Sequence, residues 1–185
     1  MARAKKDEGD ARDRLVEAAG RGFRAGGFGV AGVDALAKRG GAHLGRVLRT
    51  FRFQGRGFQV VADSLALLRN GVIAFQERHG RNWRDPFVDF YLGERMQVAL
   101  DEACGVPTFS SDVARADGAT RAIYQAELEL LVDALAAGFR GANAKARALS
   151  LLSVLSGAAA MARAVKDDRI RQEILAAANT AAKAI

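Results

Sequence analysis

The stretch RLVEAAGRGFRAGGFGVAGVDALAK, residues 14–38, contains two apolar patterns with helical spacing, and glycines separate them. The first pattern, within residues 10–25, repeats apolar side chains at steps of three or four positions: Leu15, Val16, Ala19 and Phe23. Such spacing lays one apolar stripe along a helix, which the following glycine pair ends as a C-cap would. The second pattern, VDALAK at residues 33–38, predicts a short helix that Gly40 and Gly41 end. The stretch therefore predicts two short helices joined by a tight connector.

The rest of the chain predicts further helices, and so an all-α fold. The 185 residues are 50% hydrophobic and include only two prolines, and alanine and leucine are abundant, which favours helices around a real core. Helical spacing recurs at residues 43–50, 58–76, 86–100, in a short segment ending at 114, at 119–139, 143–165 and from 167 onward. The complete prediction is about nine helices.

Local residues also predict where helices begin. Pro86 suits the first helical position after Asp85 as N-cap, because proline has no N–H to lose there. Other candidate starts are Ser110 or Ser111 for the short helix and Asp167 or Asp168 for the last one. The polar stretch ERHGRNWRD, residues 77–85, predicts a loop in which His79 faces solvent. Glu127 and Glu129 are expected to point outward.

Charge divides the chain into two unequal parts. Residues 1–57 carry 13 Lys and Arg against 6 Asp and Glu, whereas residues 58–185 carry 15 of each sign. A basic N-terminal region on a neutral body is the distribution expected when one end faces a polyanion. The alternative is a solvated basic tail, although residues 12–56 remain basic without it. The predicted divisions are a disordered basic tail (1–9), a nucleic-acid-binding unit (10–57) and a helical body (58–185).

Several classes of site are absent from the sequence patterns. The single cysteine excludes an internal disulfide, and two isolated histidines provide no metal-ligand cluster, so we predict no metal and no cofactor. Acidic pairs such as Asp85 with Asp89 lack a His, Lys or metal partner, which favours caps and exposed charges over acid–base catalysis. The most apolar stretch, residues 148–161, is too short to span a bilayer and no export signal opens the chain. A soluble cytoplasmic protein without enzymatic activity is expected.

Residues 14–38 closely resemble the N-terminal signature of TetR-family transcriptional regulators. That pattern is an Ala-rich first helix, an aromatic residue, a Gly-aromatic pair, a short connector and then Val-Asp-x-[Leu/Ile]-Ala. The body, including DPFVDFYLGERM and LDEACGVPTFSSDVARAD, also resembles the ligand-binding half of that family. The resemblance implies a three-helix helix-turn-helix module followed by a larger helical domain for effector binding and dimerisation.

The resemblance weakens between residues 39 and 58, RGGAHLGRVLRTFRFQGRGF, where the family continues approximately AAGVTSGAFYGHFGSKAEAF. Gly41, Gly45, Phe51 and Phe58 still stand in matching places. His43 and Leu44 replace the capping Thr-Ser pair, and Leu48 stands at the position of a phosphate-contacting Tyr. One possible choice of synonymous codons for residues 43–50, when it is read one nucleotide later, encodes TSGAFYG. We hypothesise that residues 39–58 are read in a shifted frame, which the nucleotide sequence decides.

As written, the atypical segment still offers basic side chains to DNA. Arg46, Arg49 and Arg52 recur every three residues and could meet phosphates or guanine edges. The complete predicted DNA-binding set is Arg39, His43, Arg46, Arg49, Thr50 and Arg52. The alternatives are solvated arginines on a poorly formed helix, or phosphate contacts that attract DNA without reading its sequence.

The resemblance also implies an effector pocket in the body. The predicted effector-binding residues are Leu68, Phe75, Phe87, Phe90, Tyr91, Met96, Cys104 and Tyr124, with Phe109 in the same region. Each taken alone is as expected of ordinary core, because aromatic and sulfur side chains at helical spacing fill any core. Cys104 could be a redox sensor, although a free cysteine in apolar surroundings is usually inert packing.

The predicted function is that of a TetR-like repressor. It would bind a palindromic operator in double-stranded DNA as a homodimer, and a small-molecule effector would release it. Small residues on the last two apolar helices permit close approach, which favours these helices as the dimer surface. The alternative is a helical ligand-binding dimer of the same fold that has lost sequence-specific recognition, and an enzyme of that fold is a more distant third.

Overall fold

A computed structural model describes residues 20–25 and 57–185, and this part of the chain is all-helical with no strand. The predicted all-α fold is confirmed at this level. Residues 20–25 are helical, and seven α-helices follow: α1 (Gly57–His79), α2 (Arg84–Leu92), α3 (Glu94–Gln97), α4 (Gly105–Ala114), α5 (Gly118–Ala137), α6 (Ala144–Ala164) and α7 (Asp168–Ala184). Two 3-10 turns lie at Gly80–Asn82 and Leu100–Glu102.

The helices α5 and α7 begin close to their predicted first residues, because an aspartate caps the start of each one. Asp117 caps α5 by accepting a hydrogen bond from the Thr120 N–H at 2.8 Å. Asp167 caps α7 in the same way, accepting from the Ile170 N–H at 3.0 Å, as one of the two predicted starts required. Carboxylate caps satisfy N–H groups that have no partner within a helix.

The predicted start and extent of the helix at 86–100 were wrong. Trp83, not Asp85, occupies the N-cap position of α2, and Asp85 instead pairs with Arg84 at 2.9 Å. The helix then breaks at Gly93, whose backbone bends so sharply (φ −103°, ψ −93°) that an added Cβ would lie 2.6 Å from the Asp89 carbonyl. Only glycine fits so close to that carbonyl, so the pattern divides into α2, α3 and a 3-10 turn.

The predicted serine cap of the short helix was also wrong. α4 begins at Gly105 with Cys104 at the N-cap position, and the Ser110 hydroxyl donates to the Val106 carbonyl inside the helix. Pro107 falls in the first turn, where its missing N–H costs nothing because those donors have no intrahelical acceptor. Pro107 therefore belongs to the helix.

The predicted loop at residues 77–85 is mostly ordered helix and core. α1 continues to His79, whose ring stacks on Phe75 with centroids 5.7 Å apart instead of facing solvent. Trp83 is 1% exposed and lies against Phe87 and Phe139. Glu127 is also less exposed than predicted, because it forms an ion pair with Arg69 at 3.0 Å. Tertiary contacts explain the burial of Trp83 and the pairing of Glu127, whereas His79 packs on the preceding turn of its own helix.

The core lies between α1, α2, α4, α5 and α6. Its largest fully buried side chains are Leu65, Val72, Trp83, Val88, Phe109, Leu131, Leu135, Leu151 and Leu155. α6 and α7 pack against each other, and buried Ala158, Ala159 and Ala162 lie on α6. Within the described residues, no helix is both long enough and apolar enough to cross a membrane.

Candidate ligand-binding site

A cavity of about 250 Å³ opens between the middle of α1, the second half of α2 and the turn that precedes α4. Its apolar wall consists of Leu67, Leu68, Phe87, Phe90, Tyr91, Ala103, Cys104 and Gly105. Its polar lining consists of Arg24, Ser64, Arg95 and Glu102. A mainly apolar cavity with a few converging polar groups is the usual form of a small-molecule site. We call it the Tyr91 cavity.

The structure brings together part of the predicted effector-binding set. Leu68, Phe87, Phe90, Tyr91 and Cys104 all line the Tyr91 cavity. The other predicted residues lie beside it. Phe75 packs edge-on against Phe87, and Met96 is half-buried against the core. The Tyr124 hydroxyl forms a hydrogen bond with the Ser110 hydroxyl at 2.8 Å, and Phe109 is fully buried.

The hydroxyl of Tyr91 is the least satisfied polar group in the cavity wall. Tyr91 is 3% exposed, and its hydroxyl makes no hydrogen bond of normal geometry with any described residue. Burial, followed by the nearby Cys104 thiol, raises the pKa of Tyr91 well above its ordinary value. The phenol is therefore neutral and can donate a hydrogen bond. A buried donor without an acceptor costs free energy. A ligand that accepts a hydrogen bond from the Tyr91 hydroxyl would therefore bind more favourably.

Cys104 contributes surface to the cavity and little reactivity. Burial of its thiol raises the pKa of Cys104 above its usual value. Because the thiolate is the nucleophilic form, a raised pKa keeps the sulfur protonated at neutral pH. This favours the packing interpretation of Cys104 over the redox-sensor one.

Arg24 connects the N-terminal helical segment, residues 20–25, to the cavity. Its Nε donates to the Asp101 carbonyl and its Nη1 donates to the Ser64 hydroxyl at 3.1 Å. Burial lowers the pKa of Arg24, Asp101 partly offsets this effect, and the neighbouring Arg95 adds to it. The same segment lies close to α1, since a Cβ added to Gly20 would be 3.2 Å from Val60. Through Arg24, the segment therefore forms part of the cavity wall.

The turn that carries the remaining polar residues is fixed by arginines. Arg95 donates through Nη2 to the Glu102 carbonyl at 2.7 Å. Arg163, from the apolar helix α6, donates to the carbonyls of Arg95 and Val98 at 3.1 and 3.2 Å. Sequence reasoning identified neither these arginines nor Arg24. The position of Arg163 directly after the apolar run 148–161 was the one signal that could have pointed to it.

A second concavity, of about 420 Å³, lies between the α1–α2 and α5–α6 connections. Four arginines line it together with two aromatic residues: Arg81, Arg84, Arg140, Arg147, Trp83 and Phe139. Arg81 and Arg140 are exposed, Arg84 pairs with Asp85, and the Arg147 guanidinium stacks 4.4 Å above the Phe139 ring. We call it the Arg81 cleft. Its polar groups are solvated or already paired, so it fits a ligand less well than the Tyr91 cavity.

The predicted DNA-binding residues, Arg39, His43, Arg46, Arg49, Thr50 and Arg52, lie outside the described residues, as do the predicted basic tail and most of the segment with the proposed frame shift. Among the residues that the structure covers, no cluster of His, Cys, Asp or Glu could hold a metal ion. No protein-family model, no curated protein and no solved structure matches the chain.

Proposed function

We propose that the chain is a TetR-like transcriptional regulator that acts as a repressor in the cytoplasm. Residues 10–57 form the helix-turn-helix DNA-binding unit, and residues 58–185 bind a small effector and dimerise. The observation that supports this proposal best is the Tyr91 cavity, because five residues chosen from the resemblance line it together with Arg24. No catalytic step, metal or cofactor belongs to the proposal.

Arg24 offers a physical route from effector to DNA. It lies within the proposed DNA-binding unit, and its hydrogen bonds reach α1 and the turn before α4. A ligand that takes over donors of Arg24 changes how this segment sits on the body. Operator affinity falls only if the ligand binds the two resulting conformations with different affinities.

Dimerisation through the last two helices is part of the proposal. α6 exposes Leu149 (45%) and Met161 (56%) beside exposed small residues such as Ser153, Gly157 and Ala160. Small side chains let a second helix pair approach closely, and two-fold symmetry would bury the same surface on both protomers. The two DNA-binding units of such a dimer would meet successive half-sites of a palindromic operator.

The second candidate function is a ligand-binding dimer without operator recognition. The sequence feature that favours it is the replacement of the capping Thr-Ser pair and of the phosphate-contacting Tyr by His43, Leu44 and Leu48. A basic segment lacking these groups retains attraction to phosphates but loses hydrogen bonds that set its register. Both candidates require the Tyr91 cavity to bind a ligand.

A mobility-shift measurement with the duplex that flanks the chain's own gene separates the two. The regulator proposal predicts a complex that a random duplex competes away only at large excess. Equal competition by the random duplex would establish the second candidate instead.

A salt titration of the same complex tests the arginines. Replacing Arg46, Arg49 and Arg52 by alanine should flatten the dependence of log affinity on log salt by about 0.9 for each lost phosphate contact. The matched control replaces Arg78, Arg81 and Arg140, which lie in the body and are exposed. An unchanged slope in the first triple variant would remove these arginines from the DNA interface.

A further inference from the structure

We propose that the Tyr91 cavity binds a small amphipathic carboxylate, with its apolar chain among Leu68, Phe87 and Phe90 and its carboxylate against Arg24, Arg95 and the Tyr91 hydroxyl. The inference names the ligand class of the site already described. It rests on the proposed function only for the regulatory consequence of binding. The binding itself follows from the donors that line the cavity.

The two guanidinium groups have donors to spare. Toward the described residues, Arg24 donates two of its five N–H groups, and both acceptors are neutral: a backbone carbonyl and a serine hydroxyl. Arg95 donates one there, also to a backbone carbonyl. Within the described residues, neither guanidinium forms an ion pair with Asp101 or Glu102, although both carboxyl groups lie close enough to affect the pKa of Arg24. A ligand carboxylate would supply the charged bidentate acceptor that these arginines lack.

The polar groups converge because Arg95 neighbours all of them. Its charge lowers the pKa of Arg24 and acts on the pKa values of Tyr91 and Cys104 as well. Tyr91 adds a buried hydroxyl that makes no hydrogen bond of normal geometry with the described residues, although the Cys104 thiol and the Ser156 hydroxyl lie near it. The two arginines can only donate, the neutral tyrosine can donate, and a carboxylate has only acceptors, although the lining also includes the Glu102 carboxylate. An amine or an alcohol would leave some of these donors unmatched.

The apolar part of the lining sets the rest of the ligand. Leu68, Phe87 and Phe90 offer no hydrogen-bonding side-chain group, so the part of the ligand between them must be hydrocarbon. A volume of about 250 Å³ is just below the usual range for ligand pockets, which favours a short chain or a single ring over a large cofactor. Octanoate has these properties and serves as the probe.

Calorimetric titration of the full chain with octanoate, octanamide and 1-octanol tests the inference. The three probes share one hydrocarbon chain and differ in the head group. We expect octanoate to bind about tenfold or more tightly than octanamide, because hydrogen bonds to a charged acceptor are about twice as strong as neutral ones. Equal affinity for octanoate and octanamide, or no octanoate binding at millimolar concentration, would overturn the inference.

Variants locate the head group. Tyr91→Phe, Arg24→Gln and Arg95→Gln should each weaken octanoate binding by about threefold to tenfold while moving octanamide much less. Arg81→Gln and Arg140→Gln, in the Arg81 cleft, are the matched controls and should leave octanoate affinity unchanged. The thermal unfolding midpoint of each free variant shows that it is folded. Loss of affinity in the cleft variants alone would place the carboxylate in the Arg81 cleft and contradict the inference.

The titration uses no DNA, so its outcome is independent of the regulator proposal. Octanoate that binds as expected but does not weaken the DNA complex supports the ligand class and contradicts the regulatory role. If other small molecules release the DNA and octanoate does not bind, the regulatory role is supported and the ligand class is contradicted.

Discussion

Trp83 and Tyr91 lie at opposite ends of α2, and their polar atoms differ in hydrogen bonding. Both side chains are almost fully buried. The Trp83 Nε1 donates to the Gly138 carbonyl at 3.1 Å, and two phenylalanine rings pack around the indole. The Tyr91 hydroxyl makes no hydrogen bond of normal geometry with the described residues, and Tyr91 lines a cavity that Arg24 and Arg95 also line.

The difference separates a structural role from a binding role on one helix. At the Trp83 end, every contact joins parts of the protein to one another, so changes there should lower stability. At the Tyr91 end, the Tyr91 hydroxyl makes no hydrogen bond of normal geometry with the described residues, so removing it should alter ligand binding and leave stability nearly constant. A single helix thus connects the stable end of the fold to its proposed site.

Trp83→Ala should produce the largest effect of any change considered. Removing a fully buried indole and its hydrogen bond is expected to lower the free energy of unfolding by about 3–5 kcal/mol, because a cavity remains that neighbours cannot fill. Urea denaturation followed by circular dichroism measures the loss. A decrease below about 1 kcal/mol would mean that this end of α2 is not the stable one.

Gly138→Ala tests how closely the chain packs on Trp83. An added Cβ would lie 2.3 Å from the Trp83 Nε1 and 2.7 Å from the Gln76 Nε2, so we expect a loss of about 1–3 kcal/mol from overpacking. Gly71→Ala in α1 is the matched control, because nothing lies within 4 Å of its added Cβ. The control should gain about 0.5–1 kcal/mol. Equal effects at both glycines, again by urea denaturation, would contradict the packing described.

Tyr91→Phe should change the stability of the free protein by less than about 1 kcal/mol, because the hydroxyl that it removes makes no hydrogen bond of normal geometry with the described residues. Tyr124→Phe removes a hydroxyl that is bonded to Ser110 and should cost about 0.5–1.5 kcal/mol. Thermal unfolding of both variants without ligand makes the comparison. A larger loss for Tyr91→Phe than for Tyr124→Phe would show that the Tyr91 hydroxyl is satisfied within the protein.

The contacts between the outer side of α2 and α7 should contribute least to the stability of the fold. Asp89 accepts hydrogen bonds from Lys183 and Asn179 on α7, and these lower its pKa. A carboxylate with a lowered pKa stabilises the fold above its ordinary pKa of 3.8, and this contribution is lost as the pH falls through the folded value. Solvent screening limits the effect to about 0.2–1 kcal/mol.

The pH dependence of urea denaturation tests this contribution. Asp89→Asn should be less stable than the parent at neutral pH and equal to it in strong acid. A gap between parent and variant that persists at low pH would assign the effect to something other than the charge of Asp89.

The sequence predicted those parts of the fold that depend on neighbours along the chain. The long helices were predictable from apolar spacing. The Asp167 cap was predictable because its partner, the Ile170 N–H, lies only three residues further along the chain. Trp83 was missed because it stands in a polar stretch, and only Gly138, 55 residues away, supplies its acceptor. The break at Gly93 was missed because it depends on a close approach to the Asp89 carbonyl.

The site was predictable only in its apolar half. Leu68, Phe87, Phe90, Tyr91 and Cys104 followed from the resemblance, which indicated a region and not a geometry. Arg24 could not be placed, since its partners Ser64 and Asp101 lie 40 and 77 residues away. Polar residues at such separations carry no local pattern. The shifted frame at residues 39–58 stays a prediction, which the gene's nucleotide sequence tests directly.

The most direct test of the account is a crystal structure of the chain grown with octanoate. The account predicts octanoate in the Tyr91 cavity, with carboxylate oxygens within about 3.2 Å of the Tyr91 hydroxyl and of a guanidinium nitrogen of Arg24 or Arg95. Octanoate in the Arg81 cleft, or a carboxylate turned away from Tyr91 into solvent, would contradict it.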